Sequence, residues 1–295
     1  MYEKEYEKWK YYKKQINHNR LIYYLKGNKA LIMKYYREKQ GYEYDFNNPV
    51  LFTEKINTRK NQKNKLYTLC ADKIKVRDYV AKKIGKKYLI PCYFTANKFT
   101  KKLFDSMPNS CVLKTASGSG TIKVVYDKKK ENKEELVKLM KFYQSIKFHY
   151  IWGEIFYRKI KNKIICEKLL LTKEGKVPTD IKVHCFKNGG KNKFFIQLDF
   201  DRFSDHRRNI YDENFKLLDL ICGFENYKGN VKKPDNWDEI LRVAKKLSED
   251  FEYVRVDLYN LNGKIYFGEL TFTNASGLTK FNPNKYNKMW GSYWK

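Results

Sequence analysis

Tyr253-Val-Arg-Val-Asp-Leu-Tyr259, Asn262-Gly263 and Ile265-Tyr-Phe-Gly-Glu-Leu-Thr271 form the stretch that decides the fold. Two runs of β-branched and aromatic residues flank an Asn-Gly pair, a strong hairpin signal. Each run carries a carboxylate in its middle, Asp257 and Glu269. Burying such a group costs several kcal/mol unless it meets a cation or a full set of donors. Two on adjacent strands point to a divalent metal held by oxygen ligands.

Register decides whether they share one ion. A strict two-residue loop pairs Leu261 with Lys264 and sends Asp257 and Glu269 to opposite faces. A three-residue loop with Gly263 left-handed as a bulge pairs Asn260 with Lys264 instead. Arg255, Asp257, Glu269 and Thr271 then share a face, and this is the expected arrangement. The plainer alternative is a surface hairpin with solvated charges.

A second signal is Cys111-Val-Leu-Lys-Thr-Ala-Ser-Gly-Ser-Gly-Thr-Ile-Lys-Val-Val125. A strand ends near Lys114, Ser117-Gly-Ser-Gly120 turns, and a second strand begins at Ile122. No helix follows, so neither the P-loop nor the dinucleotide fingerprint applies. A mobile glycine hairpin still offers backbone N–H groups to phosphates, with a lysine beside them. Many short Gly/Ser turns merely connect strands. Lys163-Ile-Ile-Cys-Glu-Lys-Leu-Leu-Leu171 reads as a buried strand interrupted by Glu167 and Lys168. Asp72-Lys73 opens a helical stretch ending before Gly85.

Taken in chain order, Asp72-Lys73, Val112-Leu-Lys114 with its Ser/Gly loop, Cys166-Glu-Lys-Leu-Leu170, Arg255-Val-Asp257 and Glu269-Leu-Thr271 resemble the ATP-grasp superfamily. Phe52-Thr-Glu-Lys-Ile56, Lys83-Ile-Gly-Lys-Lys-Tyr-Leu-Ile-Pro91, Asp180-Ile-Lys182, Arg255-Val-Asp-Leu-Tyr259 and Phe267-Gly-Glu-Leu-Thr-Phe272 resemble its TupA-like family, associated with bacterial cell-surface polymer synthesis. The resemblance covers residues 50–285. It implies an α+β fold whose two lobes grip ATP, and a carboxylate–amine ligase activity. It implies that Lys73 and Lys114 contact ATP phosphates beneath a lid loop of Ser117, Gly118, Ser119 and Gly120. Glu167, Lys168, Leu169 and Leu170 would form the hinge at the adenine edge, and Asp180 would meet the ribose. Asp257, Glu269 and Thr271 would hold Mg²⁺, and Arg255, with Lys114, would steady the transferring phosphoryl group. Many ATP-grasp enzymes carry Asn where this chain has Thr271.

The implied division is a helical arm at 1–50, a flank at 51–107, a lid at 108–165 and a core at 166–295. Within the lid, 134–145 has helical spacing through Leu136, Leu139, Met140 and Tyr143. In the core, 237–251 reads as an amphipathic helix backing the hairpin, with Ile240, Leu241, Ala244 and Leu247 inward. The run 194–203 reads as a strand with Asp199 and Asp201 on one face. Lys182, Arg202 and the nearby His206, Arg207 and Arg208 would line a pocket for an anionic substrate, with Ser276 and Gly277 also meeting it. Solvated charges of both signs are the competing reading. His184, in an apolar strand, is expected to be a partnered interior histidine.

The chain has 295 residues, 42% hydrophobic, with a mean hydropathy of −0.76 and a formal charge of +29. It is long enough for a sizeable core. No apolar run of about 18 residues suggests a membrane span. The start lacks a signal-peptide core, so cytoplasmic residence is the expectation. Six scattered cysteines without CxxC spacing argue against zinc. The lysines are spread along the chain without a nucleic-acid-binding motif, which argues for an anionic small molecule or sugar carboxylate as partner, together with an amine. Residues 1–46 read as a pair of basic helices, packed on the protein or lying on an anionic membrane at its inner face. A surface-polysaccharide glycosyltransferase, or a nucleotide-binding protein without catalysis, are the alternatives.

Overall fold

The computed structural model describes residues 2–201 and 205–294. In chain order, α1 (Glu3–Gln40), α2 (Phe52–Arg59), α3 (Lys65–Ala71) and α4 (Val76–Ile84) come first. Then follow β1 (Cys92–Ala96), α5 (Lys101–Ser106), β2 (Cys111–Thr115), β3 (Ile122–Val125), α6 (Lys133–Gln144), α7 (His149–Trp152) and β4 (Ile164–Glu167). The remainder is β5 (Asp180–Asn188), β6 (Lys191–Phe200), β7 (Arg207–Asp212), β8 (Ile221–Cys222), α8 (Trp237–Ser248), β9 (Tyr253–Leu261), β10 (Lys264–Thr271), β11 (Phe281–Asn282) and α9 (Lys285–Tyr293).

These elements make two compact units, and the stretches 1–50 and 51–107 are each divided between them. Unit 1 comprises Met1–Lys34, Lys60–Arg77 and Ile90–Leu170; unit 2 comprises Tyr35–Arg59, Asp78–Leu89 and Leu171–Lys295.

Unit 1 is built on an antiparallel sheet in the order β1-β4-β2-β3. Helix α6 forms where expected. Asn132 caps it by accepting the Glu135 N–H at 3.0 Å, acids occupy its first turn, and Leu136, Leu139, Met140 and Tyr143 are buried. They pack with Cys111, Leu113, Val125, Ile164 and Cys166 of the sheet and with Trp9 and Ile16 of α1. Helix α1 breaks at Gly27 (φ 81°, ψ 171°). A straight helix would hold positions 18 and 34 about 24 Å apart. Yet Lys34 Nζ lies 3.3 Å from His18 Nε2, so the chain folds back at the glycine.

Unit 2 holds a five-stranded antiparallel sheet, β10-β9-β5-β6-β7. One face is apolar, with Val183, Ile196, Val254, Val256 and Leu258 buried. Helix α8 packs on β9 and β5 there, burying Trp237, Ile240, Val243, Ala244 and Leu247. Each large apolar side chain so buried contributes roughly 1.5–3 kcal/mol. At one end, Phe52 of α2 and Trp290 of α9 meet Phe186, Phe195 and Tyr253 in an aromatic cluster.

Two expectations are corrected here. The hairpin turn is not a three-residue loop. Leu261 pairs with Lys264, and Asn262 and Gly263 both have positive φ (51° and 79°), as a two-residue type I′ turn requires. The ladder instead slips between Phe267 and Glu269, so the bulge lies at Gly268. A Cβ there would come within 3.0 Å of the Asp257 carbonyl oxygen, which is why the position suits glycine. Second, β6 ends at Phe200, and Asp201 has φ 48°, so Asp199 and Asp201 do not share a strand face.

Candidate functional site

In unit 1, β2 and β3 hold the glycine loop between them. Gly118 and Gly120 take positive φ, 82° and 75°. A side chain at Gly118 would enter the Phe148 ring, 2.3 Å from Cδ2. The Ser117 N–H donates to Asn162 Oδ1 at 3.1 Å, and Lys73 Nζ donates to the Gly118 carbonyl. The Lys73 N–H bonds the Ala116 carbonyl at 3.0 Å. The loop expected to be mobile is thus tied down on several sides, while Ser119 and Gly120 stay exposed.

Beside it, Lys114 Nζ lies 2.8 Å from Glu167 Oε2, and Arg77 Nη1 lies 2.7 Å from Oε1. Lys114 projects from β2 and Glu167 from the adjoining β4. Glu167 is therefore a charge partner to two cations. Lys168 is exposed, and its N–H is already given to the Pro91 carbonyl at 2.9 Å; Leu169 and Leu170 are buried. Arg77 and Asn162 were not singled out by sequence reasoning, because their partners lie far away along the chain.

In unit 2 the sheet's second face is polar across several strands. The bulge sets Glu269 opposite Asp257 and Thr271 opposite Arg255. Across the other edge of β9, Asp257 pairs with Lys182 and Arg255 with His184. Lys182 in turn faces Gln197, and Asp199 faces Arg208. The hairpin carboxylates and the Lys182 region, read separately from the sequence, occupy one continuous face.

Arg255 is the hub of its near end. Its Nε and Nη2 grip the two oxygens of Asp257 at 2.7 Å each, a bidentate pair. Nη2 also lies 3.2 Å from Glu269 Oε1 and 3.0 Å from Thr271 Oγ1, and Nη1 donates to Asn274 Oδ1. Thr271 donates to Glu269 at 2.8 Å. Burial pushes the Asp257 carboxyl up to about 6, against the pull of Arg255. Burial also opposes the charge on Arg255, but Asp257 beside it holds its pKa above the ordinary arginine value. Asn274 was missed. Its only signal was its place in the small polar loop after β10, where attention fell on Ser276 and Gly277.

The far end centres on Asp199. Lys182 Nζ reaches it at 2.6 Å, Arg208 Nε at 2.6 Å and Gln197 at 3.0 Å, with His206 Nε2 at 3.2 Å. Burial alone would raise its pKa, but Lys182 and Arg208 hold the carboxyl far below its usual range. Lys182 also contacts Asp180 at 3.2 Å. His184 is fully buried between Tyr253 (3.0 Å) and Gln197 (3.2 Å), the partnered interior histidine expected. Gly277 is packed against Ile56 and bonds Asn57 through its carbonyl, which accounts for it structurally. Ser276 has φ 53° in the same turn. Arg202 lies outside the described residues.

Two carboxylates and a hydroxyl on one face are hard oxygen donors of the kind Mg²⁺ takes, completed by water and substrate phosphates. Among the described residues no group of three His, Cys, Asp or Glu side chains is arranged to hold a metal. An ion here would need those outside oxygens, as Mg²⁺ commonly does. All six cysteines are free, five of them buried. No helix among the described residues is long and apolar enough to cross a membrane.

Comparison with known proteins gives a match to one family model, TupA-like ATPgrasp, over residues 54–295. None of the curated proteins compared matches the chain. Among solved structures, it is similar to the D-alanine–D-alanine ligase of Helicobacter pylori, at 16% identity and TM-score 0.43, over 71% of this chain and 56% of that one. For the D-alanine–D-alanine ligase of Coxiella burnetii the values are 15% and 0.42, over 80% and 54%. For N5-carboxyaminoimidazole ribonucleotide synthetase of Thermus thermophilus they are 12% and 0.42, over 70% and 46%. The chain spans about half the length of these structures.

Proposed function

Because the chain belongs to the TupA-like ATP-grasp family and has its α+β fold, we propose that it is an ATP-dependent carboxylate–amine ligase. The observation that carries this reading is the Gly268 bulge, which sets Glu269 opposite Asp257 with Arg255 and Thr271 on the same face. Two carboxylates, a hydroxyl and an arginine on one strand face match the charge arrangement such a reaction requires.

In the reaction, a carboxylate oxygen of the acid attacks the γ-phosphorus of ATP, and the bond to the bridging oxygen breaks to release ADP. The amine's lone pair then attacks the carbonyl carbon of the acyl-phosphate. Phosphate leaves, the nitrogen loses a proton, and an amide remains. The first step brings anion to anion, so fixed cations must offset the repulsion. Lys73 and Lys114 would serve the phosphates beneath the loop at 117–120. Residues 167–170 would meet the adenine edge, and Asp180 the ribose. Asp257 and Glu269, with Thr271, would hold Mg²⁺. Bound there, the ion supplies positive charge to the phosphate oxygens. Arg255 keeps the two carboxylates together before the ligand arrives and offers its guanidinium to the transferring group.

For the acid we propose a sugar carboxylate, such as a hexuronic acid of a capsule or cell-surface polymer or its nucleotide-linked precursor. The substrate choice rests on the family association. Lys182, on the polar face, is the cation proposed for it, with Arg202 and Ser276 as further proposed contacts; Gly277 would contribute backbone only. The work would take place in the cytoplasm, at the inner face of the membrane.

The test is a screen of acid–amine pairs for ADP release, with products identified by mass spectrometry. The expected result is ADP and amide in a one-to-one ratio, with ¹⁸O from the labelled acid appearing in phosphate. Sugar transfer without ATP cleavage would reject the ligase in favour of a glycosyltransferase. Amide formed with ¹⁸O-free phosphate would reject the acyl-phosphate route.

A further inference from the structure

We propose that the first part of α1 is a docking surface for an anionic phospholipid bilayer, with a basic cavity beside it that receives a lipid phosphate. This deepens the membrane-face placement given above and does not depend on the ligase chemistry.

The sequence supplies the first observation. Residues 8–34 contain eight lysines and arginines and no Asp or Glu. An ordinary surface helix carries both signs, so a one-signed run of this length suits a surface of the opposite sign. The structure supplies the second. Trp9, Ile16, Asn19, Leu31 and Ile32 are buried and hold the segment to unit 1. On the other side Tyr11, Lys14, His18, Leu21 and Leu25 recur at helical spacing, all exposed. Leu21 is 57%, Tyr24 64% and Leu25 72% exposed, one turn before the break at Gly27. Single exposed leucines need no explanation, but two a turn apart with a tyrosine between them, ringed by Arg20 and Lys26, make an amphipathic patch.

The third observation brings in residues from outside the segment. A cavity of about 330 Å³ lies beside this patch, lined by Lys13, Arg20, Tyr24, Lys147, Tyr150 and Arg158 among others. No carboxylate is among its lining residues. His149 also borders it, but burial, with Arg158 and Lys147 nearby, pushes its pKa down to about 4. The cavity's charge therefore rests on two lysines and two arginines. Arg20 and Tyr24 belong to both the cavity and the apolar patch, so cations that suit a phosphate sit directly beside leucines that suit acyl chains.

That juxtaposition selects the occupant. A nucleic acid or a soluble polyanion would use the cations but has no use for Leu21 and Leu25. An anionic bilayer uses both, through its phosphates and its hydrocarbon boundary.

The test is co-sedimentation of the full chain with vesicles of phosphatidylcholine alone or mixed with phosphatidylglycerol. The expected result is binding to the mixed vesicles only. Leu21→Ser with Leu25→Ser should weaken it about tenfold or more, and Lys147→Gln with Arg158→Gln by a similar factor, at about fivefold per cation. Lys173→Gln with Lys176→Gln, exposed lysines of unit 2, should leave binding within about twofold. Should the serine pair not fold, Leu25→Trp keeps the apolar surface and should add a blue-shifted emission on mixed vesicles to that of the five native tryptophans. Three results would overturn the proposal: equal loss in the unit 2 variant, which means unspecific charge; binding indifferent to the leucines; or stronger binding to an oligonucleotide with the same lysine dependence. ATP-driven ADP release is measured without vesicles, so failure here leaves the ligase reading standing, and the reverse also holds.

Discussion

The glycine loop of unit 1 and the polar sheet face of unit 2 solve opposite electrostatic problems. Around the loop, Lys73, Arg77 and Lys114 accompany Glu167, while Asp72 is engaged by the N–H groups of Ile74 and Lys75. Cations are in surplus. On the sheet face, Asp180, Asp199, Asp257 and Glu269 meet Lys182, Arg208 and Arg255. Among the described residues, these carboxylates outnumber the lysine and arginine cations there. A cation surplus suits phosphates and a carboxylate surplus suits a metal ion. The difference arises from where the strands of unit 2 carry their carboxylates: Asp180 on β5, Asp199 on β6, Asp257 on β9 and Glu269 on β10.

The comparison breaks most visibly at Asp199. Asp199→Asn would leave Lys182 and Arg208 facing a neutral amide, and removing one partner of a buried ion pair costs about 3–5 kcal/mol. Chemical denaturation should register that loss. The sign with pH follows from the depressed folded-state pKa. The wild type's stabilisation is present above the unfolded carboxylate value of roughly 3.9 and is lost as pH falls through the lower folded value. The variant should therefore lose less stability between pH 5 and pH 2, to within about a unit. An unchanged acid dependence would show that the cluster does not stabilise the fold.

Lys114→Met tests the other region. It keeps side-chain length, removes a cation and leaves Glu167 with Arg77. We expect ADP formation to fall by about 10²-fold or more with the melting temperature nearly unchanged, since phosphoryl transfer depends on fixed charge. Loss of stability with turnover retained would make the pair structural only.

A smaller effect distinguishes the two glycines of the hairpin. Gly268→Ala puts a methyl 3.0 Å from the Asp257 carbonyl, so the bulge must shift, at about 1–3 kcal/mol. Turnover should fall as well, because the shift moves Glu269. Gly263→Ala meets no atom but keeps φ 79°, costing about 1–2 kcal/mol with activity per folded molecule preserved. If both variants lose activity alike, the bulge is not what sets the carboxylates.

Much of this was legible along the chain. The 3–4 spacing gave α6 to within a residue at each end and the start of α8, which ends at Ser248, three residues short of the expected 251, because local periodicity decides both. Asn262-Gly263 marked the turn. The bulge was assigned to the wrong glycine. Gly263 satisfies a two-residue turn unaided, and a lone glycine inside a strand, Gly268, is itself a bulge signal. That Asp257 and Glu269 share a face was nevertheless expected, because the three-residue loop shifts the register by the same one residue as the bulge at Gly268. The joining of the Asp199 cluster to the hairpin was not legible. It depends on the register of β5 against both β6 and β9, and no local pattern specifies pairing between distant strands. Arg77 on Glu167, ninety positions apart, was hidden for the same reason.

Asp257 and Glu269 are proposed to hold the Mg²⁺ of bound ATP. Calorimetric titration of ATP into the full chain, with and without Mg²⁺, tests it most directly when repeated on Glu269→Gln, which keeps shape and removes one charge. Mg²⁺ should tighten ATP binding to the wild type by about tenfold or more, and the variant should still bind ATP but lose most of that gain. ATP that does not bind, or an equal Mg²⁺ response in both proteins, would contradict it.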